Sequence, residues 1–297
     1  MNGRGVGITE MLHGSAEWPV LVFSALVTQL GDVWFLFLLG STLYVAGEQL
    51  PRWGIDRRRG LFVLGLALAY VALIGVFKNA FLLPRPPGAG EAPHVWWIPS
   101  VIEPVFADIT TADGPGFPSG HALGTTMVWG GVALILDQEA RRTRLGIAAA
   151  VVTLVTLSRL VLGVHYAVDV VVGVALGLVV LGALYRLSDG GTDPGRVLLF
   201  AVAVGILGLF MGATFDSVTA LGGAVGGWLT WRGVAETTSA HPSSRRAVIA
   251  GFLVLGAAAG IFGAVYALTP SLVLAFLGAV IAAAGAVSAP ILGERLV

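Results

Sequence analysis

The sequence predicts an all-α fold: a polytopic transmembrane helical bundle of about nine spans, within a range of eight to ten. Three observations carry this reading. Of the 297 residues, 56% are hydrophobic and only 11% are charged, with a mean hydropathy of +0.88; an average soluble domain carries roughly 25% charged residues. Apolar runs of spanning length recur from one end of the chain to the other. The basic residues fall between those runs with a one-sided bias. Such a composition excludes an ordinary soluble enzyme, a disordered chain and a nucleic-acid binder. Seventeen basic residues against seventeen acidic ones leave no net field to attract a polyanion. The chain has no cysteine, which removes disulfides, thiolate metal sites and cysteine catalysis.

Taken in order, residues 1–15 carry Arg4, Glu10 and His13 and no apolar stretch, so they do not read as a cleavable signal peptide. The apolar run from Trp18 to Ala46 is too long for one span and breaks at Gly31-Asp32. Val33–Ala46 reads as a short span. The stretch before it, about residues 16–30, is either a further span or a re-entrant or interfacial piece. Further spans are expected at Gly60–Leu83, Gly120–Leu136, Leu145–Leu162, Ala167–Leu187, Val197–Ala213, Val218–Trp231, Ala247–Leu268 and Ser271–Leu292. Small-xxx-small pairs at Gly120/Gly124, Gly173/Gly177, Gly222/Gly226 and Gly256/Gly260 suit close helix approach in lipid.

Alternating spans put Arg52, Arg57, Arg58, Arg59, Arg141, Arg142, Arg144, Arg186, Arg196, Arg232, Arg245, Arg246 and Arg295 on one side. These are thirteen of the seventeen basic residues, and their side is assigned to the cytoplasm. Arg4 depends on the unresolved first segment. The opposite face holds Lys78, which is the single lysine, with Arg85 and Arg159. The expected location is therefore the cell membrane, multi-pass, with these three cations on the extracytoplasmic side. The longest connection on that side, Pro84–Pro118, reads as an irregular loop, with Trp96 and Trp97 as interfacial anchors. His94 reads as a loop residue without a chemical role.

Three short stretches place polar residues at the outer ends of spans. In Lys78-Asn-Ala-Phe-Leu-Leu-Pro-Arg85-Pro86, the two cations are seven apart and share a face if the helix persists to about Leu83. In Phe117-Pro-Ser-Gly-His121, Ser119 is a plausible N-cap, Gly120 permits close backbone approach, and the free amides of a helix start favour an anion. In Ser158-Arg159-Leu-Val-Leu-Gly-Val-His165-Tyr-Ala-Val-Asp169, the last two residues are four apart and lie one turn apart on one face.

Cations near lipid are costly unless an anion meets them. Arg85 and Arg159 offer planar forks suited to phosphate, and Lys78 offers a point charge. Asp169 can hold one imidazole nitrogen of His165 and leave the other as a nucleophile. His121 can protonate a leaving oxygen. Such a site needs no metal and no cofactor, because the cations already neutralise developing charge.

The pattern Lys-x6-Arg-Pro, then Pro-Ser-Gly-His, then Ser-Arg-x5-His-x3-Asp resembles the type 2 phosphatidic acid phosphatase superfamily over roughly residues 60–190. These are metal-independent lipid phosphatases, related to vanadium haloperoxidases. The resemblance implies a phosphohistidine mechanism: His165 attacks phosphorus, Asp169 sets its tautomer, and His121 protonates the leaving group and then activates water. Lys78, Arg85, Ser119, Gly120 and Arg159 would hold the phosphoryl oxygens.

The expected division is a phosphatase-like core over 1–190 and an extension of about four helices over 191–297. The resemblance does not cover that extension. Within it, Asp216-Ser217 reads as a turn and cap rather than a second site. The expected partners are a membrane lipid substrate and the bilayer, with no nucleic acid; a homo-oligomer is compatible with the Gly-rich helices. A phosphotransferase using the same phosphohistidine, a haloperoxidase and a non-enzymatic transporter or scaffold are the competing classes. The cations lie at helix ends rather than mid-span, which disfavours a transporter.

Overall fold

The computed structural model describes residue 4 and residues 6–49, 55–236 and 244–297; Arg52 of the basic set lies outside the described residues. The described residues form twelve α-helices. They are α1 (Ile8–Gly14), α2 (Trp18–Thr28), α3 (Val33–Ala46), α4 (Arg57–Phe81), α5 (Glu103–Thr110), α6 (Gly120–Ile135), α7 (Arg141–Val161), α8 (Ala167–Leu187), α9 (Pro194–Met211), α10 (Phe215–Val234), α11 (Arg245–Leu268) and α12 (Leu272–Arg295). Each apolar run read from the sequence is a helix. Six of them (α4, α7, α8, α9, α11 and α12) are long and apolar enough to cross a membrane, or seven counting the bent α2–α3 pair as one. At 16 residues, α6 is about 24 Å long.

The central helix is α4, buried over most of its length and packed against α3, α6, α9 and α10. On one side, α6 packs on α7 and α8. On the other, α10 and α12 pair closely, and α11 lies outside against α12. The outward faces carry large apolar side chains such as Val179, Phe210 and Leu253, all exposed. A protein in water would bury such surface, whereas lipid tails receive it without cost.

Close approach explains several glycines. A Cβ on Gly222 would lie 2.6 Å from the Phe276 carbonyl oxygen, and one on Gly226 would lie 2.3 Å from that of Val280. Gly173 and Gly177 likewise meet α6 at Ser119, Ala122 and Thr126. The fourth expected pair departs from this: Gly256 and Gly260 have nothing within 4 Å, because they sit on the outward face of α11.

Two short helices were absent from the sequence reading. One is α1, which packs against α7; the other is α5, which interrupts the long Pro84–Pro118 connection and packs against α2. In that connection Trp96 is exposed, while Trp97 stacks edge-on against Trp18, with ring centroids 5.6 Å apart. His94 is exposed.

The basic residues at the start of α4 gather the opposite end of the bundle. Arg59 pairs with Asp137 after α6, Arg57 with Glu294 near the end of α12, and Arg58 donates to the Ala235 carbonyl after α10.

Candidate active site

The three polar stretches converge at the end of the bundle where α4 and α7 finish and α6 and α8 begin. Helix α4 stops at Phe81 because Leu82 takes a left-handed conformation (φ 50°) and Pro84 and Pro86 cannot continue a helix. Lys78 therefore sits in the last turn of α4, while Arg85 lies beyond the helix on an irregular segment. The expected shared helical face does not form. Arg85 arrives by a different route: its Nη1 donates to the Val164 carbonyl at 2.9 Å, and its Nε to the Asp113 carbonyl at 3.1 Å.

Ser119 is the N-cap of α6, accepting from the Ala122 amide at 3.4 Å. The Ser119 amide donates to the Asp169 carbonyl at 2.9 Å, which ties the second stretch to the third. Gly120 lies against α4, where an added Cβ would sit 3.2 Å from Ile74. Arg159, in the last turn of α7, is buried and donates to Thr28 Oγ1 at 2.9 Å.

His165 is not on α8. It occupies the short connection before it, which turns at Gly163 (φ 71°), and Tyr166 is the N-cap. Asp169 is the third residue of α8, and its Oδ2 accepts from the Tyr166 amide at 3.0 Å. The carboxylate thus closes the helix start and also faces His165 Nδ1, 3.6 Å away, an ion-pair distance rather than a hydrogen bond. Both side chains are buried. On the other ring nitrogen, Arg85 Nη1 stands 3.1 Å from His165 Nε2. A guanidinium can only donate, so Nε2 presents its lone pair and Nδ1 carries the proton toward Asp169. Burial, with Arg85, Arg159, Lys78 and His121 around it, holds the His165 imidazole well below the usual histidine range. At neutral pH the ring is uncharged.

His121 is half-buried in the first turn of α6, within electrostatic reach of Arg159, Lys78 and Arg85. All eight residues expected from the sequence (Lys78, Arg85, Ser119, Gly120, His121, Arg159, His165 and Asp169) therefore meet in one place. The arrangement can hold a tetrahedral anion with cations and a helix start, and it presents a neutral imidazole to that anion. Among the described residues, no three His, Asp or Glu side chains group as ligands for a metal ion.

Three further groups escaped sequence reasoning. Arg4 donates from Nη1 to Asp169 Oδ1 at 2.9 Å and from Nη2 to the Pro84 carbonyl, and it lies over the Tyr166 ring. Its place is thus beside the site, which settles the end of the bundle left open for it. In α1, Thr9 Oγ1 donates to the His165 carbonyl at 3.0 Å. Asp216, at the start of α10, acts electrostatically on Lys78. Its neighbour Ser217 forms the expected cap, in a reciprocal box with Thr214. A single arginine 165 positions from its carboxylate leaves no local pattern in a sequence.

Residues 60–192 match the family described as the PAP2 superfamily. The decaprenylphosphoryl-5-phosphoribose phosphatases of two Mycobacterium tuberculosis strains are 39% identical over 92 residues, covering 31% of this chain and 48% of theirs. The chain spans about half the length of the curated relatives it matches. No solved structure matches it.

Proposed function

We propose, from the match of residues 60–192 to the PAP2 superfamily, that this chain is a membrane-embedded lipid phosphatase working through a phosphohistidine. Lys78, Arg85, Ser119, Gly120 and Arg159 hold the phosphoryl oxygens. His165 Nε2 attacks phosphorus as the bond to the leaving oxygen breaks, and His121 gives that oxygen its proton. Asp169 keeps the other His165 nitrogen protonated and balances the charge that the ring gains. In the second step His121 takes a proton from water, the hydroxide oxygen bonds to phosphorus, and the phosphorus–nitrogen bond breaks. The products are the lipid alcohol and phosphate. Neutralisation of developing charge by three cations leaves no role that requires a metal.

One observation carries the assignment of the nucleophile: Arg85 Nη1 lies 3.1 Å from His165 Nε2. The lone pair thus points at a phosphate-binding group, while the protonated nitrogen points at a carboxylate.

We place nine crossings, namely α3, α4 and α6 to α12. Helices α6 and α10 join opposite ends of neighbours that are long enough to cross, so they cross as well. The thirteen basic residues assign their end to the cytoplasm and the site to the extracytoplasmic face of the cell membrane. There a lipid phosphate presents its headgroup while its tail stays in the bilayer. We read residues 1–190 as the phosphatase core and 191–297 as an extension packed on α4. The names of the relatives add a prenyl-linked sugar phosphate to polyprenyl diphosphates and glycerophospholipid-type phosphates as substrate candidates.

The test is phosphate release by the purified protein from a panel of these lipids in EDTA, for wild type and His165→Ala together. Release that survives chelation and vanishes in His165→Ala is expected. Normal activity in His165→Ala, or loss on chelation, refutes the mechanism.

A further inference from the structure

His165 is not the site's only imidazole with a carboxylate behind it. Asp32 Oδ2 lies 3.7 Å from His121 Nε2, nearly the same separation as the 3.6 Å between Asp169 Oδ2 and His165 Nδ1. Both ring nitrogens are buried and have no hydrogen-bond partner. In each pair, the carboxylate's position is held by a backbone amide at a helix start. Asp169 accepts from Tyr166, and Asp32, the N-cap of α3, accepts from the Trp34 amide through Oδ1 at 3.3 Å. The cap occupies one Asp32 oxygen and leaves the other aimed at the histidine.

The junction that carries Asp32 is built into the site. The α2–α3 pair bends by 46° around residues 29–31. A Cβ on Gly31 would lie 2.3 Å from Thr125 Oγ1 and 2.6 Å from Val155 Cγ1, so the bend is wedged between α6 and α7. Trp129 Nε1 donates to the Leu30 carbonyl at 3.0 Å, and Arg159 donates to Thr28 at 2.9 Å. The break at Gly31-Asp32 thus places one residue on a phosphate-binding arginine and another behind the second histidine.

We infer that Asp32 is the positioning residue for His121, forming a second histidine–carboxylate pair dedicated to the proton steps. The inference rests on the phosphohistidine reading above. Arg159, Lys78 and Arg85 all act on His121, and three cations oppose a fourth positive charge. Asp32 supplies the opposite sign and receives Nε2–H, so Nδ1 faces the leaving oxygen. When phosphorus passes from that oxygen to His165, the proton on His121 Nδ1 goes to the oxygen. When water attacks the phosphohistidine, the same nitrogen takes a proton back. Neither step transfers a proton to Asp32. Closing 3.7 Å to hydrogen-bond length takes a ring shift of under about 1 Å, as catalytic contacts commonly tighten once substrate binds.

The test exploits leaving-group chemistry. A general acid matters for an alkoxide and hardly at all for nitrophenolate. Asp32→Asn and Asp32→Ser both keep a side-chain cap for α3 and remove the charge. Measure kcat/KM, which reports the first phosphoryl transfer, on a long-chain alkyl phosphate and on p-nitrophenyl phosphate, with His121→Ala alongside. Both Asp32 variants should lose roughly 10- to 100-fold on the alkyl ester and less than about threefold on the aryl ester. His121→Ala should show the same selectivity, more strongly. Equal losses on both esters would mean that Asp32 acts only on folding or binding, and unchanged kinetics would mean that it does nothing; either overturns the inference. If His121→Ala itself lacks leaving-group selectivity, its acid role fails, and the role of Asp32 fails with it.

Discussion

Replacing Asp169 with asparagine isolates a charge. Three donors surround this carboxylate: the Tyr166 amide and His165 Nδ1–H at Oδ2, and the Arg4 guanidinium at Oδ1. An asparagine has one oxygen for them. If its NH₂ group replaces Oδ2, it meets a buried amide and the ring. If it replaces Oδ1, it meets Arg4, whose side chain is 16% exposed and can swing away. The second orientation therefore wins: the helix cap survives, Arg4 is released, and His165 faces a neutral oxygen. Charge developing on the imidazole then lacks its counter-ion 3.6 Å away, an attraction of about 4–5 kcal/mol at an effective dielectric near 20. Part of that is returned because Arg4 no longer adds its own repulsion. The expected loss in kcat/KM is roughly 10²- to 10³-fold. Arg4→Ala keeps the carboxylate and loses one charge-assisted bond, so it should cost far less activity. The assay is phosphate release in detergent micelles, with thermal melting to show that the variants fold. Asp169→Asn within tenfold of wild type, or Arg4→Ala as damaging as Asp169→Asn, would refute the electrostatic argument.

Two further outcomes follow from the same structure. His165 in the folded protein takes up a proton less readily than the ordinary ring at 6.5, so the unfolded chain binds more protons as pH falls through that value. Stability that is present above about pH 6.5 should be lost progressively below it. That slope, read by thermal melting across pH, should shrink in His165→Ala; an unchanged slope would mean that His165 is not the group responsible. In the extension, Gly226→Ala drives a methyl into the Val280 backbone and should cost about 1–3 kcal/mol, while Gly256→Ala meets nothing and should be neutral. Equal melting temperatures for the two variants would contradict the packing of α10 on α12.

What the sequence makes legible is what local chemistry encodes. Helix positions follow from apolar runs, and Val33–Ala46 and Ala167–Leu187 match to the residue. The eight site residues are visible because their spacings recur at helix ends. Other features depend on how distant segments meet. Lys78 and Arg85 share a helical face only if the helix persists to about Leu83, and it ends at Phe81. Gly256 and Gly260 have the spacing of a packing motif and face outward, since spacing does not say which way a helix turns. Asp32 read only as a break between spans, because its partner stands 89 positions away on another helix. Arg4 sits among residues with no apolar or helical signal of their own, and its carboxylate partner is more than half of the chain away.

The contact between Arg85 and His165 Nε2 also describes the candidate site at rest. The lone pair that would attack phosphorus is already engaged by the group that would bind the phosphate. An incoming phosphoryl oxygen draws that hydrogen bond onto itself and uncovers the nitrogen. On the proposed mechanism, recognition and unmasking would then be a single exchange of partners, with the nucleophile guarded until an anion of the right shape arrives. Electrophiles without an anionic oxygen would find the ring occupied, so chemical labelling of His165 should be slow in the free protein and should not be a measure of its competence in catalysis.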